Sequence, residues 1–201
     1  FSGPLLPDQP FSSSAMSSAP GGLGAGEILS GTGTVPKQGG LQPMGSLKGG
    51  FLVDGDPGAT IHLDAVWSFR EARYSNEVGV FAVDNLGRVN GIAPGEPGYG
   101  EAALRSESRR TLLQAGEQTG AWESFDALAG SQLAFYLIQN DSITNWLGRN
   151  DKGAANVPVL FSIETANSSV LERMRSADLG KGLWSFAWED LITNSCLLYT
   201  S

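Results

Sequence analysis

The sequence predicts an all-β fold, an antiparallel β-sandwich of jelly-roll-like type with one or two short helices. Several segments alternate apolar and polar residues with period two, glycine-rich turns separate these segments, and few stretches have helical periodicity. Many short strands joined by turns are typical of two packed antiparallel sheets. The chain has 201 residues, which suits one domain with an additional segment.

Residues 1–50 differ in composition from the rest of the chain. Glycine, serine and proline dominate, and the apolar residues are too scattered to form one face of a strand or helix. This composition predicts a low-complexity linker or leader. The patterned domain is predicted to begin at Phe51 and to extend to Ser195.

The first strand of the domain is predicted in "TIHLDAVWSFR". His62, Asp64 and Ser68 lie on its polar face, and the opposite face carries Ile61, Leu63, Ala65, Trp67 and Phe69. The next strand is predicted in "NEVGVFAVD", which is rich in β-branched residues and ends at the turn "DNLGR".

The second half of the chain contains three further strong strand patterns. "QLAFYLIQN" is apolar on both faces and therefore predicts a central strand of a packed sheet. "VPVLFSIET" and "GLWSFAWEDL" are the other two, and "TLLQ" and "AWESF" are additional candidates. Short helices are predicted in "YGEAALRSES" and in "ANSSVLERMRS", where Asn167 or Ser168 is available as the N-cap.

Composition excludes several classes of function. A formal charge of −8 argues against a nucleic-acid partner or an anionic membrane surface, since both reward basic patches. A single cysteine, Cys196, excludes an internal disulfide, and a single histidine, His62, excludes a multi-histidine zinc site. No stretch approaches the ~20 apolar residues of a membrane-spanning helix.

Carboxylates at strand ends are the candidate chemical groups. Glu77 opens one predicted strand and Asp84 closes it, while Glu189 and Asp190 close another. Carboxylates that converge on one point bind Ca²⁺, a hard cation that prefers oxygen ligands. The alternative is that these acids are solvated charges at strand ends. "DGDPG" at 54–58 departs from a calcium-loop pattern and predicts a tight turn.

The residues bear on two enzyme classes. The sequence lacks the G-x-S-x-G motif of a serine hydrolase. The only histidine that could act as the base is His62, which lies in mid-strand. A pair of carboxylates also suits a glycosidase. Trp122, Trp146 and Tyr99 would then offer aromatic surfaces to a sugar, although such residues more often pack in cores or loops.

Several spaced motifs carry a family resemblance. The segments are "FREARYSNEVGVFAVDNLGRVNGIAPGEPGYGEAAL", "QLAFYLIQN" with "NWL", "VLFSIETAN" and "FAWEDL". In this order they resemble the bacterial domain-of-unknown-function family 4114, over roughly residues 52–193. The resemblance implies a β-sandwich from a secreted or surface-attached bacterial protein, with no catalytic activity assigned.

The resemblance also implies a calcium site. It places Glu77, Glu189 and Asp190 near one another, with Asp84 as a further candidate, because "NEVGVF" and "FAWEDL" would be neighbouring strands or meet at one edge of the sandwich. In family members an acidic run comes after the "WEDL" segment. This chain instead continues as "ITNSCLLYTS", and "CLLYTS" resembles translated adapter sequence. Residues 196–201 are therefore predicted to be a non-native tail on a domain that is incomplete at its C-terminus.

The predicted function is a non-catalytic, calcium-associated module of an extracellular or cell-surface bacterial protein. Its partners would be an extracellular polysaccharide or another surface ligand, and its role adhesion or ligand binding. Two alternatives remain: a carbohydrate-binding or carbohydrate-active domain that uses the acidic cluster and the aromatic loops, and a purely structural spacer.

Overall fold

The computed structural model describes residues 39–68, 75–117, 119–149, 158–168 and 172–189. Within these ranges the chain forms ten strands, two α-helices and one 3-10 helix, Glu164–Ala166. The helices are α1 (Tyr99–Arg105) and α2 (Ile143–Arg149). The strands are β1 (Gly40–Pro43), β2 (Phe51–Asp54), β3 (Thr60–Val66), β4 (Glu77–Val83), β5 (Arg110–Leu113), β6 (Trp122–Leu128), β7 (Gln132–Ile138), β8 (Val159–Phe161), β9 (Met174–Gly180) and β10 (Leu183–Trp188).

Six strands form the main sheet. Its order is β1-β2-β7-β4-β5, with β8 added to β7 beside β2, and every pairing is antiparallel. Strand β4 is buried along its whole length and β7 along nearly all of it, because both faces of the sheet are covered at its centre. This accounts for the apolar residues on both faces of "QLAFYLIQN" and confirms that it is a central strand.

Two separate two-stranded ribbons cover one face of this sheet. One pairs β3 with β6 and the other pairs β9 with β10. Val78 and Val80 of β4 point toward them, in a core that includes Phe125 of β6 and Met174 of β9. Half-buried aromatic residues of the ribbons, among them Trp67 and Trp188, pack against the same core.

The two helices cover the opposite face of the main sheet. Phe81 and Val83 of β4 point to this side, where they meet Tyr99 and Leu104 of α1. Ile143 and Trp146 of α2 complete the same core. Ser142 precedes α2 and caps its N-terminus, because its hydroxyl accepts a hydrogen bond from the Asn145 N–H at 3.3 Å. The prediction of an all-β sandwich with short helices is confirmed.

The predicted strands appear in their predicted segments, including the two additional candidates, which form β5 and β6. The turn predicted at 54–58 is also confirmed, since Ala59 N–H donates to the Asp56 carbonyl at 2.9 Å and Gly58 has a φ of 80°. The period-two pattern of β3 matches its alternating exposure, although Phe69 lies outside the described residues.

One of the two predicted helices is wrong. In "ANSSVLERMRS" the described residues from Met174 onward form strand β9, and Met174 itself is buried in the core. Asn167 does not cap a helix, because its buried side chain accepts from Phe161 N–H and donates to Phe161 C=O, both at 2.9 Å. The side-chain amide of Asn167 thus satisfies the backbone N–H and C=O of Phe161 in β8, as a neighbouring strand would.

Strand β1 lies inside the segment 1–50 that is predicted to be a linker. It pairs with β2 along its whole length, from Gly40 opposite Asp54 to Pro43 opposite Phe51. Its four residues, "GLQP", are too few and too mixed in character to produce a strand pattern in the sequence. Residues 1–38 and the predicted tail 196–201 lie outside the described residues.

Candidate ligand groove

An open groove of about 890 Å³ lies between the two ribbons, above the main sheet. We call it the ribbon groove. One wall is β3 from His62 to Val66 with Trp67 and Ser68, and the other is β10 from Leu183 to Phe186 with Trp188. Val78, Leu112, Leu113 and Phe135 of the main sheet lie at its base. The groove exists because β3 and β10 pair with their own ribbon partners, and the described strands do not join them to each other.

Aromatic side chains line both walls of the ribbon groove. Period-two alternation turns Trp67 inward at the end of β3, and Trp184, Phe186 and Trp188 inward along β10, so that each is half-buried. Trp184 and Phe186 pack edge-on against Phe51, with ring centroids 5.7 and 5.3 Å away. These contacts hold the β10 wall against the sheet.

Two of the groove tryptophans, Trp184 and Trp67, differ in their polar contacts. Trp184 Nε1 donates to the Leu41 carbonyl at 3.1 Å. Trp67 Nε1 is buried and has no hydrogen-bond partner among the described residues. A buried N–H without a partner costs about 1–3 kcal/mol, so the indole of Trp67 lowers the stability of the domain by this order.

Among the described residues that line the ribbon groove, most charged groups are acidic. Asp54, Asp64 and Asp178 line it, against one lysine, Lys181, at the turn of the β9–β10 ribbon. Asp178 is partly engaged, because its Oδ1 accepts from Gly180 N–H at 2.7 Å. The groove therefore favours a ligand with positive charge along its rim.

His62 stands on the outer face of β3 between two carboxylates. Its Nδ1 lies 2.8 Å from Asp126 Oδ1 on β6, and its Nε2 lies 3.5 Å from Asp64 Oδ1. The hydrogen bond to Asp126 and the nearby charge of Asp64 raise the pKa of His62 above its ordinary value. The histidine therefore links the two strands of the β3–β6 ribbon when it is protonated.

The stability of the domain is expected to fall as the pH rises from about 6 to 8, through a contribution from His62. The pKa of His62 is raised in the folded state, so its contribution is fully present below the unfolded pKa of about 6.5 and is lost as the pH rises through the higher folded value. Urea unfolding of the wild type and of His62→Asn at both pH values measures this. A pH slope that is the same in both proteins would contradict it.

Glu77, the first residue predicted as a metal ligand, is buried in the main sheet at 3% exposure. Its Oε1 accepts from Thr111 Oγ1 at 3.0 Å and from Tyr136 O–H at 3.2 Å, and its Oε2 accepts from Ile143 N–H at 3.1 Å. Burial is the main cause that raises the pKa of Tyr136 to about 12, so its phenol remains a donor. Glu77 thus joins β4, β5, β7 and the start of α2.

The structure does not bring Glu77 and Glu189 together as predicted. Strand β4 lies between β7 and β5, while β10 pairs with β9, so the two are not neighbours. Glu77 shares the face of Phe81 and Val83, which is the helix side of the sheet, whereas Trp188 packs on the other side. The whole thickness of the main sheet therefore separates Glu77 from the ribbon that carries Glu189.

Asp84 lies at the opposite end of β4 from Glu77, about 23 Å away at the ~3.3 Å rise per residue of a strand. Its Oδ1 accepts from Leu86 N–H at 2.9 Å and from Arg88 N–H at 2.8 Å. The side chain thus shapes the turn after β4, which is the conformational role that acids before glycine commonly have.

The described members of the predicted calcium set do not fit one cation site. Glu189 is exposed after β10, and its N–H donates to the Arg173 carbonyl at 2.8 Å. Asp190 lies outside the described residues. Within the described ranges, no group of three or more histidine, cysteine, aspartate or glutamate side chains is placed to hold a metal ion. The structure therefore separates Glu77 from the part of the predicted set that follows β10.

The aromatic residues predicted as a sugar surface take different places. Tyr99 and Trp146 are core residues, at 2% and 7% exposure. The phenol of Tyr99 donates to the Gly87 carbonyl at 2.9 Å, which fixes α1 against the turn after β4. Trp122 is 65% exposed and lies outside the ribbon groove. The aromatic residues of the groove are not among those predicted, although the alternation in β3 and β10 places them on inward faces.

One known family model matches the second half of the chain. The model of a domain of unknown function, DUF4114, matches residues 128–196. This match confirms the part of the resemblance carried by "QLAFYLIQN", "NWL", "VLFSIETAN" and "FAWEDL". The segment at 69–104 that also carries the resemblance lies outside the matched residues. The DUF4114 segment supplies the centre of the main sheet, β7, together with β8 and the whole β9–β10 ribbon. One wall of the ribbon groove therefore comes from the DUF4114 segment, and the other, β3, precedes it.

No curated protein matches the chain, and no solved structure matches it. In the described part of the chain, neither helix is long and apolar enough to cross a membrane.

Proposed function

We propose that this domain is a non-catalytic binding module of a secreted or cell-surface bacterial protein, and that it takes an extended ligand into the ribbon groove. The observation that carries this proposal is the open groove of about 890 Å³ between the ribbons. Its size falls in the range of about 300–1,000 Å³ that is typical of ligand sites. The extracellular setting is supported by the DUF4114 resemblance alone.

The composition of the groove supports binding. Its base consists of core side chains such as Leu112 and Leu113, its walls carry tryptophans, and its rim carries acids. An apolar surface left open beside a few polar groups is the usual pattern of a recognition site. A ligand that covers it would remove apolar area from water at about 25 cal/mol per Å².

A polysaccharide chain is a second candidate ligand, because Trp67, Trp184 and Trp188 present aromatic surface within a concave site. Affinity electrophoresis in gels that contain dextran, xylan, chitosan or alginate tests this candidate. If a sugar chain binds the groove, one gel will retard the wild type, and Trp67→Ala will abolish the retardation. Trp122→Ala is the matched control, since Trp122 is exposed outside the groove.

The Trp67→Ala variant also needs a check that it folds, because Trp67 is half-buried against the core. Its thermal melt, and the retardation of the milder Trp67→Phe variant, provide that check. Retardation lost equally in Trp67→Ala and Trp122→Ala would place sugar binding elsewhere. The absence of retardation by all four polymers would remove carbohydrate as the ligand and leave the binding role to another extended molecule.

We further propose that calcium binds through Glu189 and Asp190, without Glu77. Millimolar calcium is expected to raise the melting temperature by about 5 °C relative to chelator, because an ion that binds the native state adds to its stability. The double variant Glu189→Gln, Asp190→Asn should lose this rise. Glu77→Gln should keep it, since the structure engages that carboxylate inside the sheet. Equal melting curves of the wild type in calcium and in chelator would contradict the proposal.

A further inference from the structure

We propose that the ribbon groove binds a single extended polypeptide strand of a partner protein, which pairs through its backbone with the facing edges of β3 and β10. This inference rests on the proposed function, because it names the class of ligand for the same groove. It starts from backbone groups on both walls that have no pairing strand among the described residues. The edge of a sheet offers such groups to another strand.

The edge of β3 that faces the groove has unpaired backbone groups. Trp67 N–H donates to the Ala121 carbonyl at 2.9 Å, so every second residue back from Trp67 points its backbone toward β6. The residues between them point theirs away from β6. Among the described strands β3 pairs with β6 alone. The backbone N–H and C=O groups of His62, Asp64 and Val66 are therefore directed to the groove side.

The edge of β10 has the same property. Glu189 N–H donates to the Arg173 carbonyl at 2.8 Å, so Ala187 and Ser185 point their backbones toward β9. The intervening residues direct their N–H and C=O groups to the other side, where the described part of the chain offers no pairing strand. These residues are Trp184, Phe186 and Trp188.

One strand between these edges would complete the second layer of the sandwich. The order would become β6-β3-partner-β10-β9, a five-stranded sheet over the main sheet. Strands neighbour one another at about 4.8 Å, and alternate side chains of the partner would point down to the base of the groove. Addition of a strand to an exposed edge is a common mode of peptide recognition, in which the backbone bonds give affinity and the alternate side chains give specificity.

The base of the groove favours a peptide over a sugar. Val78, Leu112 and Leu113 are aliphatic and only 5–6% exposed, so they cannot satisfy the hydroxyl groups of a sugar ring. Valine, isoleucine or leucine side chains at every second position of a peptide would match this surface. Among the described lining residues the acids Asp54, Asp64 and Asp178 exceed the one lysine, Lys181, so basic residues at the outward positions complete the match.

The test uses the whole chain and a synthetic nine-residue peptide of alternating valine and lysine, capped at both ends. Tryptophan fluorescence follows binding, because three tryptophans line the groove. The peptide is expected to bind, and the same peptide with proline at its centre is expected to bind at least tenfold more weakly. Proline removes one backbone donor and cannot continue the pairing.

Two matched protein variants locate the peptide. Asp64→Pro removes an N–H that faces the groove, and it should weaken binding about tenfold. Ser124→Pro is the control: Ser124 is the cross-strand partner of Asp64, so its N–H points to the opposite edge of the ribbon. Asp64→Asn separates the loss of charge from the loss of the N–H. Thermal melts establish that both proline variants fold.

Hydrogen exchange supplies an independent readout. In the free monomer the amides of His62, Asp64 and Val66 should exchange quickly and become protected when the peptide binds. Protection of these amides in the free monomer would mean that the chain itself fills the groove, and protection only in a dimer would mean a second copy does; either result would overturn the inference. Equal binding by Asp64→Pro and Ser124→Pro would overturn it too.

The failure of the inference can be distinguished from failure of the proposed function. If a polysaccharide binds in a Trp67-dependent manner and the peptide does not, the groove is a ligand site and the strand inference is overturned. If neither class of molecule binds, both the inference and the proposed function are overturned.

Discussion

Gly79→Ala is expected to destabilise the domain by about 3 kcal/mol, because overpacking in a buried site forces neighbours to move. Gly79 lies in β4 directly opposite Tyr136 of β7. A Cβ atom at this position would lie 2.3 Å from the Tyr136 ring and 2.4 Å from the Arg110 carbonyl oxygen. The first neighbour is a fully buried side chain and the second is backbone of β5, so neither can yield at low cost.

Urea unfolding measures the effect of Gly79→Ala. A loss of about 3 kcal/mol corresponds to a fall in the midpoint of about 1–3 M at the usual slopes. Gly40→Ala is the matched control, since Gly40 also lies in a strand and its added Cβ would meet no atom within 4 Å. If both variants unfold at the same urea concentration, the ring of Tyr136 does not occupy the space over Gly79.

Glu77→Ala is expected to cost about 4 kcal/mol. The substitution leaves three donors without their acceptor, namely Thr111 O–H, Tyr136 O–H and Ile143 N–H. Each buried donor without a partner costs about 1–3 kcal/mol. The loss is larger than that of one hydrogen bond because a single carboxylate serves two strands and the first residue of α2.

Two further variants serve as comparisons for Glu77→Ala. Glu77→Gln keeps the shape and one acceptor oxygen, so it should lose about half as much stability. Glu107→Ala removes an exposed carboxylate and should stay within about 0.5 kcal/mol of the wild type. A change below about 1 kcal/mol in Glu77→Ala would mean that the three donors find other partners, and the carboxylate would then be free to serve another purpose.

The strands of this fold could largely be predicted from the sequence, because burial imposes a period of two. The inward residues of β3 and the apolar run of β7 identify these strands without further information. The pattern fails where strands are short or polar. Strand β1 has four residues, and most of β9 is exposed, so neither produces an apolar repeat.

The candidate sites were less predictable, because a sequence pattern places a residue on a face without showing what covers that face. Alternation puts Glu77 and Val78 on opposite faces of β4. It does not show that helices cover one of these faces and ribbons the other. The prediction that Glu77 and Glu189 lie near one another is wrong for this reason. The ribbon groove depends on which strands remain unpaired, which is a property of the topology.

The position of β7 at the centre of the main sheet has a consequence for co-translational folding. Strand β4 is complete at Val83, yet the partner that fills one of its edges begins at Gln132. Synthesis of residues 84–131 takes about 2–10 s at roughly 5–20 residues per second. During this interval the apolar strand "EVGVFAV" emerges without its principal neighbour. Strand β4 therefore stays without its β7 partner until residues 132–138 leave the exit tunnel.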